Sequence, residues 1–164
     1  NSLSDILLKL SSLDANKDLM KKEQIRLDEL VDYALDSLDL KRSTNVEIEK
    51  SLKENSINGD FYWLAEALIN IMKNADNRPT CDKITISSYK NPLYTSLIIE
   101  DNGGGIEKEN IKKIFKRFYK TPDSNGFGIG LAMAKTIVEK NNGEISVSNI
   151  DAGARFEIKF YNVT

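Results

Sequence analysis

The chain has 164 residues, of which 40% are hydrophobic and 29% charged, and a formal net charge of −2. This length and composition suit one globular domain with a short appendage and show no sign of wholesale disorder. A near-neutral charge provides no general basic field, so we expect no nucleic-acid partner. The sequence contains no histidine and a single cysteine, Cys81. These counts exclude a Ser-His-Asp triad, histidine metal ligands, a phosphohistidine acceptor and an internal disulfide within these residues.

The first part of the chain predicts two amphipathic helices joined by a polar connector. Apolar residues recur at helical spacing over residues 3–13, a narrow seam that we expect to pack on a partner that is absent from this chain or truncated in it. Residues 14–24 are polar and lysine-rich and predict the connector. A broader apolar stripe over residues 27–38 predicts the second helix. Isolated apolar residues near positions 46–48 and 57 suggest short strands.

The middle of the chain predicts a helix followed by a β-hairpin. The helix runs from about Asp60, a suitable N-cap, to about Ala75, and Pro79 prevents its extension. Alternation over residues 84–87 predicts a strand, and residues 94–100 predict its returning partner.

The last third predicts two helical segments and a closing pair of strands. Helical spacing recurs over residues 111–118, where we favour core positions for Phe115, Phe118 and Tyr119 over recognition roles. A helix follows over residues 129–140 and ends at Asn142-Gly143. Strands near residues 144–148 and 155–160 close the chain. The expected fold is a two-layer α+β sandwich with a mixed, mostly antiparallel sheet and three main helices on one face.

One face of the third helix carries polar residues that suit a metal-bound phosphate. Five positions at helical spacing share this face: Glu66, Asn70, Lys73, Asn74 and Asn77. Asparagine is a poor helix former, and its neutral carbonyl oxygen is a ligand that Mg²⁺ accepts. A solvated helix face is the alternative interpretation.

A second cluster begins where the predicted returning strand ends, at Asp101-Asn-Gly-Gly-Gly105. Asp101 shares strand parity with Leu97 and Ile99, so its carboxylate should emerge beside an apolar layer. An acid in that place needs a partner, and the exocyclic amine of adenine is one candidate. A glycine-rich hairpin with a turn-stabilising aspartate explains the glycines but not the parity.

A third cluster, Gly126-x-Gly128-x-Gly130, opens the last predicted helix. Its spacing differs from the dinucleotide-binding fingerprint, and the phosphate-loop motif and the eukaryotic protein-kinase signature are missing. A flexible loop that ends on a helix N-terminus remains, which can close over a triphosphate. Lys116, Arg117 and Lys120 lie just upstream and could supply positive charge. A solvated basic face is an equally good interpretation for Lys116.

In this order the motifs resemble the catalytic and ATP-binding domain of bacterial sensor histidine kinases, in the GHKL (gyrase, heat-shock chaperone, histidine kinase, MutL) superfamily. The resemblance covers about residues 25 to 162. The matching segments are Glu66–Ala75 (N box), Asp101–Ile106 (first glycine box), Ile114–Lys120 (F box), Gly126–Leu131 (second glycine box), and the closing segments 143–147 and 153–156. Four ordered boxes at suitable separations are far more specific than any one of them.

The resemblance implies a role for each matched position. Asn70 and Asn74 would hold Mg²⁺ and the phosphates, and Asp101 would recognise the adenine amine. Glu66 lies where hydrolysing relatives use a carboxylate as base, although kinase members often carry an amide there. The base pocket would be shaped by Gly103 and Gly105, the lid hinged by Gly126, Gly128 and Gly130, and the terminal phosphate contacted by Lys120. The remaining expected nucleotide-binding residues are Lys73, Ile106, Phe127, Ile129 and Leu131.

The resemblance also implies the wider setting. Residues 1–24 would be the end of a dimerisation and phosphoacceptor helix plus a linker, and residues 25–164 the ATP-binding catalytic domain. The domain would transfer the γ-phosphoryl group of Mg·ATP to a histidine on the separate upstream domain. Its partners would be that domain and a response regulator, within a homodimer that forms the cytoplasmic part of a membrane-anchored sensor. An anti-sigma-type serine kinase and a non-catalytic nucleotide-sensing module remain as alternatives.

Two departures from the family pattern affect the phosphate end of the site. Asn77 stands where many members carry a basic residue, and the lid segment 121–125 is short.

Overall fold

The computed structural model describes residues 2–15, 20–38, 46–53, 55–76, 80–119 and 128–162. Within these residues the helices are α1 Ser2–Ala15, α2 Leu27–Ser37, α3 Phe61–Asp76, α4 Lys108–Ile111 and α5 Gly130–Lys140. The strands are β1 Glu23–Arg26, β2 Glu47–Ser51, β3 Ser56–Gly59, β4 Lys83–Lys90, β5 Tyr94–Asp101, β6 Gly143–Ile150 and β7 Gly153–Tyr161.

The main sheet has five strands in the order β2-β4-β5-β7-β6. Strands β2 and β4 are parallel, because β3 and α3 form the crossover between them, whereas the other pairs are antiparallel. Strands β1 and β3 form a separate antiparallel ribbon. The expected mixed, mostly antiparallel sheet is therefore confirmed.

Strand alternation places the apolar side chains of the sheet on one face, under α2, α3 and α5. The same buried cluster contains residues from both layers: Ile84, Ile86, Leu97, Ile99, Phe156, Ile158, Leu30, Val31, Leu64, Leu68, Ile71, Ala75, Ala134, Ile137 and Val138. Helix α3 packs against both α2 and α5. This arrangement confirms the sandwich and leaves the polar face of α3 outside the core.

Helix α3 begins at a buried node that also holds the connector. Asp60 Oδ1 accepts a hydrogen bond from Trp63 N (3.1 Å), which confirms the predicted N-cap. Its Oδ2 accepts one from Lys21 N (2.8 Å), and its own N–H donates to Asn141 Oδ1 (2.7 Å). The first residues of α3 are thus fixed to the connector and to the end of α5.

The predicted connector over residues 14–24 is partly wrong. Helix α1 continues through Ala15, and β1 already begins at Glu23; residues 16–19 lie outside the described part. Polar residues form β1 because pairing with β3 satisfies the backbone, while only Ile25 is buried.

The helix expected over residues 111–118 is also wrong. Helix α4 ends at Ile111, and turns follow. Phe118 has φ of 67°, a conformation that cannot continue a right-handed helix, and its side chain is 62% exposed. Phe115 and Tyr119 pack on the core as expected, whereas Phe118 does not.

Helix α1 packs on the same domain that it precedes in sequence. Leu10 and Leu13 are buried in the common core cluster, whereas Leu7 and Leu8 are exposed. The expected absent partner is therefore not needed for this part of the apolar seam. None of the described helices is both long enough and apolar enough to cross a membrane.

Candidate nucleotide-binding site

Asp101 lies at the end of β5, in the layer between sheet and helices. Its side chain is only 5% exposed and faces the same side as the buried Leu97 and Ile99, as the strand parity predicted. Oδ1 accepts hydrogen bonds from Gly103 N (2.9 Å) and Ala154 N (3.3 Å). These two N–H groups fix the carboxylate and compensate part of its desolvation.

The glycines after Asp101 allow the chain to turn sharply beside the carboxylate. Gly104 and Gly105 have φ of 95° and 77°, in the region that glycine adopts most easily. Gly104 N donates to Ala152 O (2.9 Å), which holds the loop against the β6–β7 turn. The sequence assigned pocket-shaping roles to Gly103 and Gly105; of these two, Gly105 needs its glycine for backbone geometry.

Two residues to which the sequence assigned no role at the site hold this loop in place. Asn149 clamps Ile106 at both backbone groups, because Ile106 N donates to its Oδ1 (2.8 Å) and its Nδ2 donates to Ile106 O (2.6 Å). At Gly153 an added Cβ would lie 1.9 Å from Asp101 O, so the close approach requires glycine. The closing motif included Gly153, but no sequence signal distinguished Asn149.

The polar face of α3 lies beside the start of α5. Glu66, Asn70 and Asn74 are half-buried on this face, and Lys73 is exposed. Asn70 Nδ2 is buried and has no hydrogen-bond partner within the described residues. A Cβ added to Gly130 would lie 3.7 Å from Asn70 Cβ and Cγ, so the N-terminus of α5 directly adjoins Asn70.

The second glycine box is described only from Gly128 onward. Gly128 has φ of 74°, and its carbonyl accepts a hydrogen bond from Phe118 N (2.7 Å). Ile129 is buried, while Gly130 and Leu131 are half-buried. The predicted site residues Lys120, Gly126 and Phe127 lie outside the described residues, as do Asn77 and the lid segment 121–125.

Two ion pairs connect α1 to this side of the domain. Lys9 Nζ lies 3.0 Å from Glu66 Oε1, and Arg117 Nη2 lies 2.8 Å from Asp14 Oδ1. The hydrogen bond with Arg117 lowers the pKa of the Asp14 carboxyl, and the same contact raises the pKa of Arg117. Arg117 is therefore directed at α1, not at a phosphate site as the sequence suggested, and Lys116 is exposed.

The arrangement fits a nucleoside triphosphate. The buried amide of Asn70 needs a hydrogen-bond acceptor, and a phosphate oxygen is one. The start of α5 presents backbone N–H groups and the positive end of a helix dipole. The carboxylate of Asp101 lies in an apolar layer that suits a base.

Comparisons with known proteins agree with this geometry. A family described as "Histidine kinase-, DNA gyrase B-, and HSP90-like ATPase" matches residues 59–163. Sensor protein RprX of Bacteroides fragilis is 30% identical over 93% of this chain and 32% of its own length. Sensor histidine kinase CusS of Escherichia coli is 30% identical over 95% of this chain and 34% of its own length. The chain thus spans about a third of the length of these relatives.

Solved structures show the same fold. The histidine kinase AdeS of Acinetobacter baumannii superposes with a TM-score of 0.80 at 26% identity, covering 98% of this chain and 77% of that chain. The mycobacterial sensor histidine kinase MprB superposes with a TM-score of 0.77 at 26% identity, covering 85% and 97%.

Fold and site together define an ATP-binding module with a mixed sheet. The chain belongs to the histidine kinase-, DNA gyrase B- and HSP90-like ATPase family, in the GHKL superfamily, and is homologous to sensor histidine kinases.

Proposed function

We propose that the chain is the catalytic domain of a sensor histidine kinase that transfers the γ-phosphoryl group of Mg·ATP to a histidine on a separate domain. The observation that carries this proposal is the buried Nδ2 of Asn70, which has no hydrogen-bond partner within the described residues and belongs to a side chain that adjoins the start of α5. Relatives named as sensor kinases support the transfer to histidine. Because the chain has no histidine, the acceptor must lie elsewhere.

In the proposed site, the base and the phosphates of the nucleotide contact different sets of residues. Asp101 accepts a hydrogen bond from the adenine amine, with Gly103, Gly105 and Ile106 lining the base pocket. The phosphates lie between α3 and the start of α5, where Asn70 and Asn74 hold Mg²⁺. Bound Mg²⁺ supplies positive charge that neutralises the phosphate oxygens. The further phosphate contacts are Lys73, Lys120 and the second glycine box, Gly126 to Leu131.

The wider assembly is part of the same proposal. Residues 1–24 are the end of a dimerisation and phosphoacceptor domain with its linker, and residues 25–164 are the catalytic domain. The whole protein acts as a homodimer, passes its phosphoryl group to a response regulator, and carries this domain in the cytoplasm. The names of the matched sensor proteins support this assignment.

Substitutions in the two sets of residues test the binding site by calorimetric titration with ATP. Asp101→Asn should abolish ATP binding, because an amide presents a donor where the base needs an acceptor. Asn74→Ala should remove the dependence of ATP affinity on Mg²⁺. Glu100→Gln, one residue earlier on the opposite face of β5, is the matched control and should bind as the parent does. Unchanged titrations for both site variants would contradict the assignment.

The acceptor is tested by adding the purified upstream domain of the full-length protein to this chain with labelled ATP. A labelled histidine, stable to alkali and labile to acid, is the expected product. Label on serine would favour the anti-sigma-type kinase, and ATP binding without any transfer would favour a nucleotide-sensing module.

A further inference from the structure

Lys9 is held beside Glu66 by the packing of the C-terminal part of α1. The two residues are 57 positions apart in sequence, yet Lys9 Nζ donates to Glu66 Oε1 at 3.0 Å. Leu10, next to Lys9, is buried, and Leu13 one turn later is fully buried. The Asp14–Arg117 ion pair fixes the end of the same helix. The backbone of Lys9 is therefore fixed by a packed helix. An isolated ion pair on the surface has no such support.

Glu66 lies at the phosphate end of the proposed site. It precedes Asn70 by one helical turn on the same face of α3, a rise of about 6 Å. Asn70 in turn adjoins Gly130 at the start of α5. A carboxylate at this position borders the space in which the terminal phosphate would lie.

A carboxylate beside a terminal phosphate can activate water. As a general base it accepts a proton from water while the water oxygen bonds to the γ-phosphorus. The bond between the γ-phosphorus and the bridging oxygen breaks, ADP keeps the electron pair, and the proton passes from the carboxyl group to solvent. This hydrolysis competes with transfer to a protein acceptor, whose own nucleophile needs no such base at Glu66.

We propose that Lys9 is a positioning residue that suppresses ATP hydrolysis by holding Glu66, so that bound ATP is reserved for phosphoryl transfer. The Lys9 ammonium occupies Oε1 and neutralises the charge that would attract the proton of water. This inference rests on the proposed function, because it assumes that ATP binds between α3 and α5. It assigns the choice between hydrolysis and transfer to a residue outside the ATP-binding domain proper.

The test measures phosphate release from Mg·ATP by the whole chain. Lys9→Met should raise kcat for hydrolysis at least about tenfold and leave KM for ATP unchanged, because the side chain acts on the base and not on the nucleotide. Lys9→Arg should keep the low parental rate of hydrolysis, since its guanidinium also pairs with the carboxylate. The double variant Lys9→Met/Glu66→Gln should return to the parental rate. Lys90→Met, at the far end of β4, is the matched control and should not change hydrolysis.

ATP affinity measured on the same samples separates this inference from the proposed function. A parental chain that binds no ATP would overturn both. Variants that bind ATP normally, with no faster hydrolysis in Lys9→Met, would overturn the role of Lys9 alone. Rapid hydrolysis that persists in the double variant would also overturn it, because the activated water would then not depend on Glu66.

Discussion

At the scale of single residues, the position of the Asp101 carboxylate depends on very close backbone approach. Asp101 receives two backbone N–H groups, one from its own loop and one from β7. The β7 strand comes close enough to donate because Gly153 has no side chain. The position of this carboxylate and the packing of the sheet therefore depend on the same few atoms.

Gly153→Ala should lower the free energy of unfolding by at least about 3 kcal/mol, because the new Cβ would lie within the radius of a backbone oxygen that has no room to move. A Cβ at position 153 would lie 1.9 Å from the backbone oxygen of Asp101. Urea unfolding followed by circular dichroism measures the change. Gly130→Ala is the matched control: its nearest contact is 3.7 Å, so its stability should stay within about 1 kcal/mol of the parent. Equal unfolding midpoints for the two variants would contradict the close approach.

At the scale of elements, α1 is the helix whose position carries consequences beyond its own stability. One of its faces contributes Leu10 and Leu13 to the core, while Leu7 and Leu8 remain exposed. The same helix brings Lys9 to Glu66 and Asp14 to Arg117. Both ion pairs are partly exposed and are worth little by themselves. Burial of the leucines is therefore what keeps α1 in place.

Leu13→Ala should release α1, because removing a fully buried leucine costs about 2–5 kcal/mol, much of the docking energy of so short a helix. Hydrogen exchange resolved by segment measures this release as faster exchange of the α1 amides. Leu8→Ala is the control, since Leu8 is 67% exposed. In this variant the α1 amides should exchange at the parental rate. If the α1 amides were equally protected from exchange in both variants, the packing of α1 on this domain would be contradicted.

At the scale of the whole molecule, the shifted pKa values lie further from neutral pH than the ordinary values of the same groups: carboxyl pKa values are lowered and a lysine pKa is raised. Hydrogen bonds with Arg117 and Arg26 lower the pKa of the Asp14 and Asp28 carboxyl groups, respectively. A lowered carboxyl pKa contributes stability above the ordinary value of 3.8 and loses it as the pH falls through the folded-state pKa. Both contributions are therefore complete at neutral pH.

The pKa of Lys83 is raised instead of lowered, but its contribution to stability is also complete at neutral pH. Its hydrogen bond with Glu49 raises its pKa, so its contribution is complete below the ordinary value of 10.5 and is lost as the pH rises through the folded-state pKa. With no histidine in the chain, the free energy of unfolding should be constant within about 1 kcal/mol between about pH 5 and 8 and fall below about pH 4. Urea titrations at several pH values measure this profile. A slope inside the neutral range would show that another group titrates on unfolding.

Much of the fold and the outline of the site could be predicted from local patterns. Helical spacing placed Asn70 and Asn74 on one face of α3, and strand parity placed Asp101 in the buried layer. The N-cap at Asp60 and the turn at Asn142-Gly143 limited their helices as expected. The prediction failed where spacing alone suggested a helix beyond Ile111. Phe118 has a positive φ, and its N–H donates to the carbonyl of Gly128, which lies later in the chain, so a tertiary contact replaces the helical one.

The sequence by itself determined which side chains each helix and strand exposes and, through four ordered motifs, the family to which the chain belongs. Only the tertiary structure decided that Asn149 clamps Ile106, that Gly153 lies against Asp101, and that Lys9 lies against Glu66. The physical reason is the range of the interactions involved. Periodicity follows from the backbone geometry of a few consecutive residues, whereas these three contacts join segments 43 to 57 residues apart (Asn149–Ile106 and Lys9–Glu66 at the limits) that meet only when strand order and helix packing are complete.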